Sequence, residues 1–161
     1  MRGQAAAGPV TAPICPYCTA TAVYLPSSAQ IYQGRDYGPV WCCNVCNAYV
    51  GCHPGTNRPL GRLANAELRK WKRAVHHVFD PIWRRRYELR VLDDPKYKVW
   101  MARGGRYKQL AQLLGIPVDQ CHIGMFDVPM CKRAVEICQS GQLAAADRQK
   151  DEARGKLRHA S

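Results

Sequence analysis

The sequence predicts an α+β fold, with short antiparallel strands in the first third of the chain and helices in the rest. Two cysteine couples, Cys15 with Cys18 and Cys43 with Cys46, share the C-x2-C spacing and are flanked by β-rich segments. Apolar residues recur at helical spacing after Asn65. No apolar run approaches the ~20 residues that a transmembrane helix needs, and we expect no membrane partner.

The four paired cysteines predict a structural zinc site. Each couple offers two thiolates from one tight turn, and four sulfur ligands form the closed tetrahedron that Zn²⁺ prefers. We therefore predict zinc as the cofactor, with Cys15, Cys18, Cys43 and Cys46 as ligands. Cys42 competes with Cys43, but two intervening residues suit the tight turn better and would place Cys42 on the preceding strand. A closed four-thiolate site leaves no position for water, so this metal is not expected to do chemistry.

Three β-rich segments complete a predicted zinc ribbon over residues 14–60. One precedes a proline-serine turn, one leads into the second couple and one leads away from it; they are 21–25, 40–43 and 48–51. Residues 1–13 are rich in Ala, Gly and Pro, and we expect a flexible lead-in there.

The region 61–140 is predicted to be helical and basic. Asn65 is a candidate N-cap for its first helix, because its side chain can accept a hydrogen bond from the first turn. Asp80 and Pro81 are expected to end or kink this helix, since proline lacks a backbone N–H. Residues 93–95, Asp-Asp-Pro, are expected to end the helical piece that follows.

Glycine and aspartate mark the later helix boundaries. Gly104 and Gly105 predict a hinge or turn before a short helix that Gly115 ends. Asp127 is a candidate cap for the last helix of the core. Residues 141–161 are charged and rich in alanine, and are predicted to form a solvated helix or a disordered tail.

Charge and cysteine content narrow the class of protein. The net charge is +12, and residues 61–108 hold 14 basic against five acidic side chains. Such a concentrated positive field favours a polyanion or an acidic protein surface, although a solvated helix face is the plainer alternative. The odd number of cysteines, nine, and the metal spacing of two couples fit a reducing compartment, so we expect a cytoplasmic protein.

Aromatic side chains are interleaved with these cations, which predicts contact with DNA or RNA. Cations neutralise phosphates, and exposed aromatic rings stack on bases. Trp100, Tyr97 or Tyr87 are candidates for stacking, unless the aromatic residues of this stretch are core residues. The residues predicted to bind nucleic acid are Arg69, Lys72, Arg73, Arg84, Arg85, Arg86, Lys98, Trp100, Arg103 and Arg106.

A second set of metal-binding residue types occurs outside the couples. His53, Asp80, His122 and Cys131 are candidates for a second metal or functional cluster. Three interpretations remain open: structural residues, a second zinc site, and a site for metal-assisted hydrolysis. The chain has no phosphate-binding glycine loop and no serine nucleophile elbow, which favours a protein that is not an enzyme.

Beyond the cysteine couples, a series of short motifs resembles one family. The motifs are Cys15-Pro16-Tyr17-Cys18, Cys43-x2-Cys46, Val50-Gly51-x-His53-x-Gly55-Thr56, Pro59-Leu60-Gly61-x-Leu63-Ala64, Leu68-Arg69, His76 or His77, Phe79-Asp80, Trp83, Tyr107-x2-Leu110-Ala111, Cys121-His122-Ile123-Gly124-x-Phe126-Asp127 and Cys131. Over roughly residues 14–138 the chain resembles the zinc-finger-containing domain family of unknown function found in phages and prophages. The resemblance implies a zinc-ribbon-like start, a helical remainder and the four paired cysteines as ligands. It also draws attention to the second cluster, whereas the basic stretch 84–106 departs from the family pattern.

These observations together predict a zinc-stabilised, non-enzymatic nucleic-acid-binding protein of phage type. The alternative is a protein-interaction module that binds and redirects a host nucleic-acid-processing complex, such as RNA polymerase or a defence complex. A weaker alternative is a metal-dependent nuclease that uses His53, Asp80 and His122.

Overall fold

A three-stranded antiparallel sheet forms the first part of the chain. The computed structural model describes residues 10–143 and 145. Strands β1 (Val23–Leu25), β2 (Val40–Cys42) and β3 (Tyr49–Gly51) lie in the order β1-β2-β3. Each predicted β-rich segment therefore contains one strand, and the α+β, zinc-ribbon-like fold is confirmed.

The register of the sheet puts alternate residues of β2 on opposite faces. Trp41 lies opposite Tyr24 on β1 and Val50 on β3, while Cys42 lies on the other face. Trp41 is buried, and its indole Nε1 donates a hydrogen bond of 2.7 Å to the carbonyl of Asn57. The buried residues that pack together around it are Cys15, Ala22, Cys43, Ala48, Val50 and Leu63. The core of this region is thus built around one tryptophan and two cysteines.

Three helices and two short 3₁₀ turns follow the sheet. The helices are α1 (Ala66–Asp93), α2 (Val99–Leu114) and α3 (Val128–Gln139), and the turns are Val118–Gln120 and Ile123–Met125. Helix α2 packs against α3 and against the first 3₁₀ turn. Among the described residues, no helix combines the length and apolar character needed to cross a membrane.

The predicted helix caps are confirmed. The side chain of Asn65 accepts a hydrogen bond of 2.9 Å from the N–H of Leu68, three residues into α1. Asp127 accepts one of the same length from Met130 at the start of α3. Gly115 follows α2 with φ at 70°, a left-handed conformation that glycine adopts without a side-chain clash.

Of the two outcomes expected at Pro81, an end or a kink of the first helix, the end is wrong. Helix α1 continues through Pro81 to Asp93. Proline costs this helix one backbone hydrogen bond, but Val75 and Phe79, both fully buried, anchor the preceding turns in the core. Asp80 lies inside the helix, and its carboxylate accepts a hydrogen bond of 3.0 Å from the indole N–H of Trp83.

The expected hinge at Gly104 and Gly105 is also wrong, because both glycines lie inside α2. Buried residues occur on both sides of the pair, at the spacing of one helix face: Ala102, Arg106, Leu110, Ala111 and Leu114. Packing of that face holds the helix together despite the low helix propensity of glycine.

Replacing these glycines with alanine is expected to stabilise the protein. A Cβ at Gly104 or Gly105 would meet no other atom within 4 Å, and neither residue has a positive φ. Each of Gly104→Ala and Gly105→Ala should raise the free energy of unfolding by about 0.5–1 kcal/mol, measured by urea denaturation followed at 222 nm. Gly115→Ala is the matched control and should lower it, because alanine is strained at a φ of 70°. Destabilisation by both helical substitutions would contradict the continuous α2.

Contacts divide the chain into two compact units, residues 1–69 and residues 70–161. We call these the zinc unit and the helical unit. The zinc ribbon predicted over residues 14–60 lies within the first unit, which also contains the first turn of α1. Val10 and Ala12 of the predicted lead-in pack against the core around Trp41. The rest of the lead-in, and nearly all of the predicted tail, lie outside the described residues.

Candidate metal centre

The first cysteine couple lies in a tight turn closed by two backbone hydrogen bonds. The N–H of Cys15 donates to the carbonyl of Ala20 at 2.8 Å, and the N–H of Thr19 donates to the carbonyl of Cys15 at 2.9 Å. Thr19 directly follows Cys18 and has φ at 62°, which is rare for a β-branched residue. Thr19 is therefore strained in this turn, and the thiols of Cys15 and Cys18 lie close together beside it.

The second couple repeats this geometry. Cys43 donates to the carbonyl of Ala48 at 2.8 Å, and Asn47 donates to that of Cys43 at 2.9 Å. Asn47 takes the place of Thr19, with φ at 53°. Both turns thus belong to one structural motif, although asparagine tolerates the left-handed conformation better than threonine does. A left-handed residue directly after each couple is a feature that the sequence analysis did not use.

The four thiols converge on one point. The Sγ atoms of Cys15, Cys18, Cys43 and Cys46 all lie within 4.8 Å of one another, and those of Cys18 and Cys43 are 3.5 Å apart. A tetrahedral zinc ion with Zn–S bonds of ~2.3 Å requires sulfur separations of roughly 3.8 Å. The residues therefore fit zinc. Between residues 10 and 143, no other group of three or more Cys, His, Asp or Glu side chains converges in this way.

Hydrogen bonds and neighbouring thiols adjust the acidity of this cluster. The backbone N–H of Cys46 points at the sulfur of Cys43 at 3.4 Å and lowers the pKa of the Cys43 thiol to about 7. The pKa of Cys46 is raised, mainly by the neighbouring thiol of Cys18. Adjacent thiolates repel one another, so a divalent cation is needed to hold all four in the ionised form. Because zinc displaces protons from these thiols, its affinity must fall as the pH is lowered.

The structure separates Cys42 from this cluster. Cys42 lies on β2, and its thiol points toward the carbonyl of Cys43 at 3.8 Å. Burial raises the pKa of its thiol. Cys43 is therefore the residue placed for ligation, as the two-residue spacing predicted.

The candidates for a second cluster are dispersed between the two units. His53 lies in a turn of the zinc unit, and its backbone N–H donates to Arg58 at 2.9 Å. Asp80, His122 and Cys131 lie in the helical unit, where they form no group of converging ligand atoms. The second metal site and the nuclease that depends on it remain predictions without support from this geometry.

Three neighbouring side chains on α1 contact the carboxylate of Asp80. Besides the indole of Trp83, His76 lies with Nδ1 at 3.4 Å from the same oxygen, Oδ1. Arg84 lies at 3.9 Å from Oδ2. His76 belongs to the motif series of the sequence, but its pairing with Asp80 was not predicted, although their i, i+4 spacing is a recognisable helix pattern.

The three cysteines in the described part of the helical unit, Cys121, Cys131 and Cys138, are buried. Burial raises the pKa of Cys121 and that of Cys138 to about 11, and Cys131 is fully buried as well. A buried thiol with a raised pKa is a poor nucleophile. These residues therefore match the structural interpretation of the unpaired cysteines.

The predicted nucleic-acid contacts fall into two groups. The members that the structure leaves exposed are Arg73, Arg84, Arg85, Lys98, Trp100 and Arg103. Trp100 is 72% exposed, whereas Tyr97 is buried and lies 6.4 Å from the ring of Tyr87. Of the three aromatic candidates, Trp100 is the one that the structure leaves exposed.

The remaining four cations make contacts within the fold. Arg106 is 2% exposed and donates a hydrogen bond to the carbonyl of Leu143. Its burial argues against the predicted contact with nucleic acid. Lys72 donates to the carbonyl of Gly124 at 2.6 Å. Arg86 donates to the hydroxyl of Tyr97, and Arg69 to the carbonyl of Ala64. Charge in the sequence thus overstates the number of cations that a polyanion can reach.

Comparison with known proteins agrees with the geometry of the cysteine cluster. The model of a family described as a zinc-finger-containing domain matches residues 11–141, most of the chain. No curated protein and no solved structure matches the sequence. With four converging thiols and a family match over this length, the chain belongs to the family of zinc-finger-containing domains.

Proposed function

We propose that this protein binds nucleic acid without catalysis, that zinc stabilises its first unit, and that it acts in a phage setting. The charge of the helical unit supports the proposal. Over residues 70–108 eight cations are exposed, against three exposed acids, Glu88, Asp93 and Asp94. An excess of this kind favours association with a polyanion through the release of counterions. The exposed cations are Lys70, Arg73, Arg84, Arg85, Lys96, Lys98, Arg103 and Lys108.

The observation that carries the proposal is the exposure of Trp100 among these cations. Its side chain is 72% exposed in the first turn of α2. Lys98 precedes it and Arg103 follows it, and both are exposed. An accessible indole beside phosphate-binding cations is the combination that single-stranded nucleic acids contact.

The salt dependence of binding tests the proposal. We expect a labelled 20-nucleotide single strand to bind more weakly as salt is added, with log Kd rising linearly with the logarithm of the salt concentration. The triple variant Arg84→Gln, Arg85→Gln, Lys98→Gln should reduce the slope by about 2, because each phosphate contact contributes ~0.7. Fluorescence anisotropy at several salt concentrations measures both quantities.

The matched control is Arg58→Gln, which removes one exposed cation of the zinc unit and should leave the slope within error. Binding that is absent, or that does not respond to salt, would contradict the proposed function. An unchanged slope in the triple variant would contradict the assignment of these three cations.

The end of α1 and the start of α2 favour a second candidate function, binding to a host nucleic-acid-processing complex. They expose an unusual number of large apolar side chains: Leu89, Leu92, Val99, Trp100 and Met101. Apolar residues with cations around them are typical of protein interfaces. A stable complex recovered from nuclease-treated host lysate, and lost in Leu92→Ser, would favour this function over direct binding to nucleic acid.

A further inference from the structure

The zinc unit carries a group of tyrosines that the sequence analysis did not select. The ring of Tyr32 lies 4.9 Å from that of Tyr37 and 5.7 Å from that of Tyr49, and both pairs meet nearly at right angles. Tyr37 is 68% exposed and Tyr32 36% exposed. We call these three residues the tyrosine cluster. Tyr37 is the most exposed of the three rings, so it is the one that a planar group can reach from solvent.

The loop that holds Tyr32 and Tyr37 is fixed by a small polar network. The carboxylate of Asp36 accepts hydrogen bonds from the backbone N–H groups of Ser28, at 3.1 Å, and Gly38, at 2.9 Å. The hydroxyl of Ser28, which is fully buried, accepts one of 2.7 Å from the N–H of Tyr37. The loop is therefore held in one conformation, and a ligand would not have to order it on binding.

A cation completes the surface. The guanidinium of Arg69 lies 4.1 Å from the centre of the Tyr49 ring, in the position of a cation–π contact. Arg35 is exposed in the same loop as Tyr37. The acid between them, Asp36, has its carboxylate turned to backbone N–H groups, and these hydrogen bonds lower its pKa. Arg35 thus supplies an exposed cation beside the rings, Arg69 supplies one that already contacts Tyr49, and Asp36 supplies one ionised carboxylate.

We propose that the tyrosine cluster is a stacking platform for unpaired bases of a single-stranded nucleic acid, separate from the cations of the helical unit. The inference rests on the proposed function and makes it more specific, since it assigns single strands as the preferred class. The faces of bases in a duplex are stacked on one another and cannot reach a tyrosine ring, whereas those of a single strand can. The exposed guanidinium of Arg35 in this loop favours the sugar-phosphate backbone of such a strand over an uncharged peptide.

The test compares two substitutions of Tyr37, one that removes the ring and one that keeps it. We expect Tyr37→Ala to weaken binding of a labelled (dT)20 strand by about 5- to 150-fold, the range found for one stacked base. Tyr37→Phe keeps the ring and should bind within about twofold of the wild type. The salt slope should not change in either variant, because no phosphate contact is lost. The affinity of both variants for a 20-base-pair duplex should equal that of the wild type.

Two controls separate binding from folding. Tyr24→Ala removes an exposed tyrosine that packs on Trp41, on the other face of the sheet, and should leave affinity for (dT)20 unchanged. Zinc content and thermal unfolding are measured for every variant. If Tyr37→Ala fails to fold, the wild-type protein is photocrosslinked to a strand that contains bromodeoxyuridine, and the crosslinked residues are identified. We expect the crosslinks at Tyr37 or Tyr32.

The outcomes distinguish this inference from the proposed function. Salt-dependent binding that Tyr37→Ala leaves unchanged, or crosslinks confined to the helical unit, would overturn the tyrosine platform while the proposed function stands. Failure of the wild type to bind both the single strand and the duplex would overturn both. Binding of the duplex in preference to the single strand would overturn the platform alone.

Discussion

Cys43→Ser is expected to abolish zinc binding and to unfold the zinc unit. The thiol of Cys43 is fully buried, lies 3.5 Å from that of Cys18 and belongs to the core around Trp41. Loss of one of four ligands breaks the closed site. Structural zinc sites contribute apparent free energies of about 10–16 kcal/mol, against about 5–15 kcal/mol for the stability of a whole native protein. The sheet of this unit has three strands of three residues each, too little structure to stay folded without the metal.

Cys42→Ser is a closely matched control for this experiment. It makes the same chemical change one residue earlier, at a buried thiol outside the cluster. We expect the control to retain the zinc ion while Cys43→Ser retains none, as measured by elemental analysis of untagged protein. Near-ultraviolet circular dichroism should lose the contribution of Trp41 only in Cys43→Ser and keep that of the three tryptophans of the helical unit. Equal zinc content in the two variants would show that the cluster is not the metal site.

Arg106→Met is expected to destabilise the helical unit strongly. The guanidinium of Arg106 is buried and donates to the carbonyl of Leu143 and the side chain of Gln109. Methionine can fill the space of the aliphatic stem but leaves the buried carbonyl of Leu143 without this donor. Loss of a charged donor to a buried acceptor should lower the free energy of unfolding by about 3–5 kcal/mol.

Arg103→Met, one turn earlier on α2, is the comparison. Its guanidinium is exposed, lies over the ring of Tyr107 and should contribute less than ~1 kcal/mol to stability. Thermal and urea unfolding of the two variants measure the difference. The effects on nucleic-acid binding should be reversed, with a reduced salt slope in Arg103→Met and an unchanged slope in folded Arg106→Met. Similar stabilities of the two variants would contradict a structural role for Arg106.

Local rules were enough to predict much of the zinc unit and the helix caps at Asn65, Gly115 and Asp127. The C-x2-C spacing specified four ligands because each couple needs only one tight turn to aim its thiols. Asn65 and Asp127 were recognised as caps since a cap bonds a backbone N–H three residues away. In both cases the residues that interact are close in sequence, or the metal itself supplies the long-range contact.

Interactions between distant residues decided the rest. Pro81 and the glycine pair of α2 would break a helix in isolation, but the packed faces of α1 and α2 outweigh their local cost. Nothing in the charge pattern distinguishes Arg106 from Arg103, because burial depends on which helix face meets the core.

The tyrosine cluster was hidden for a similar reason. Tyr32 and Tyr37 lie in a loop and Tyr49 on a strand, and they meet through the fold of that loop. The sequence by itself therefore determined the zinc ligands, the strands, the helix caps and the excess of positive charge. The tertiary structure alone decided the continuity of α1 and α2, the cations that reach solvent and the aromatic surface, since these depend on packing between residues far apart in the chain.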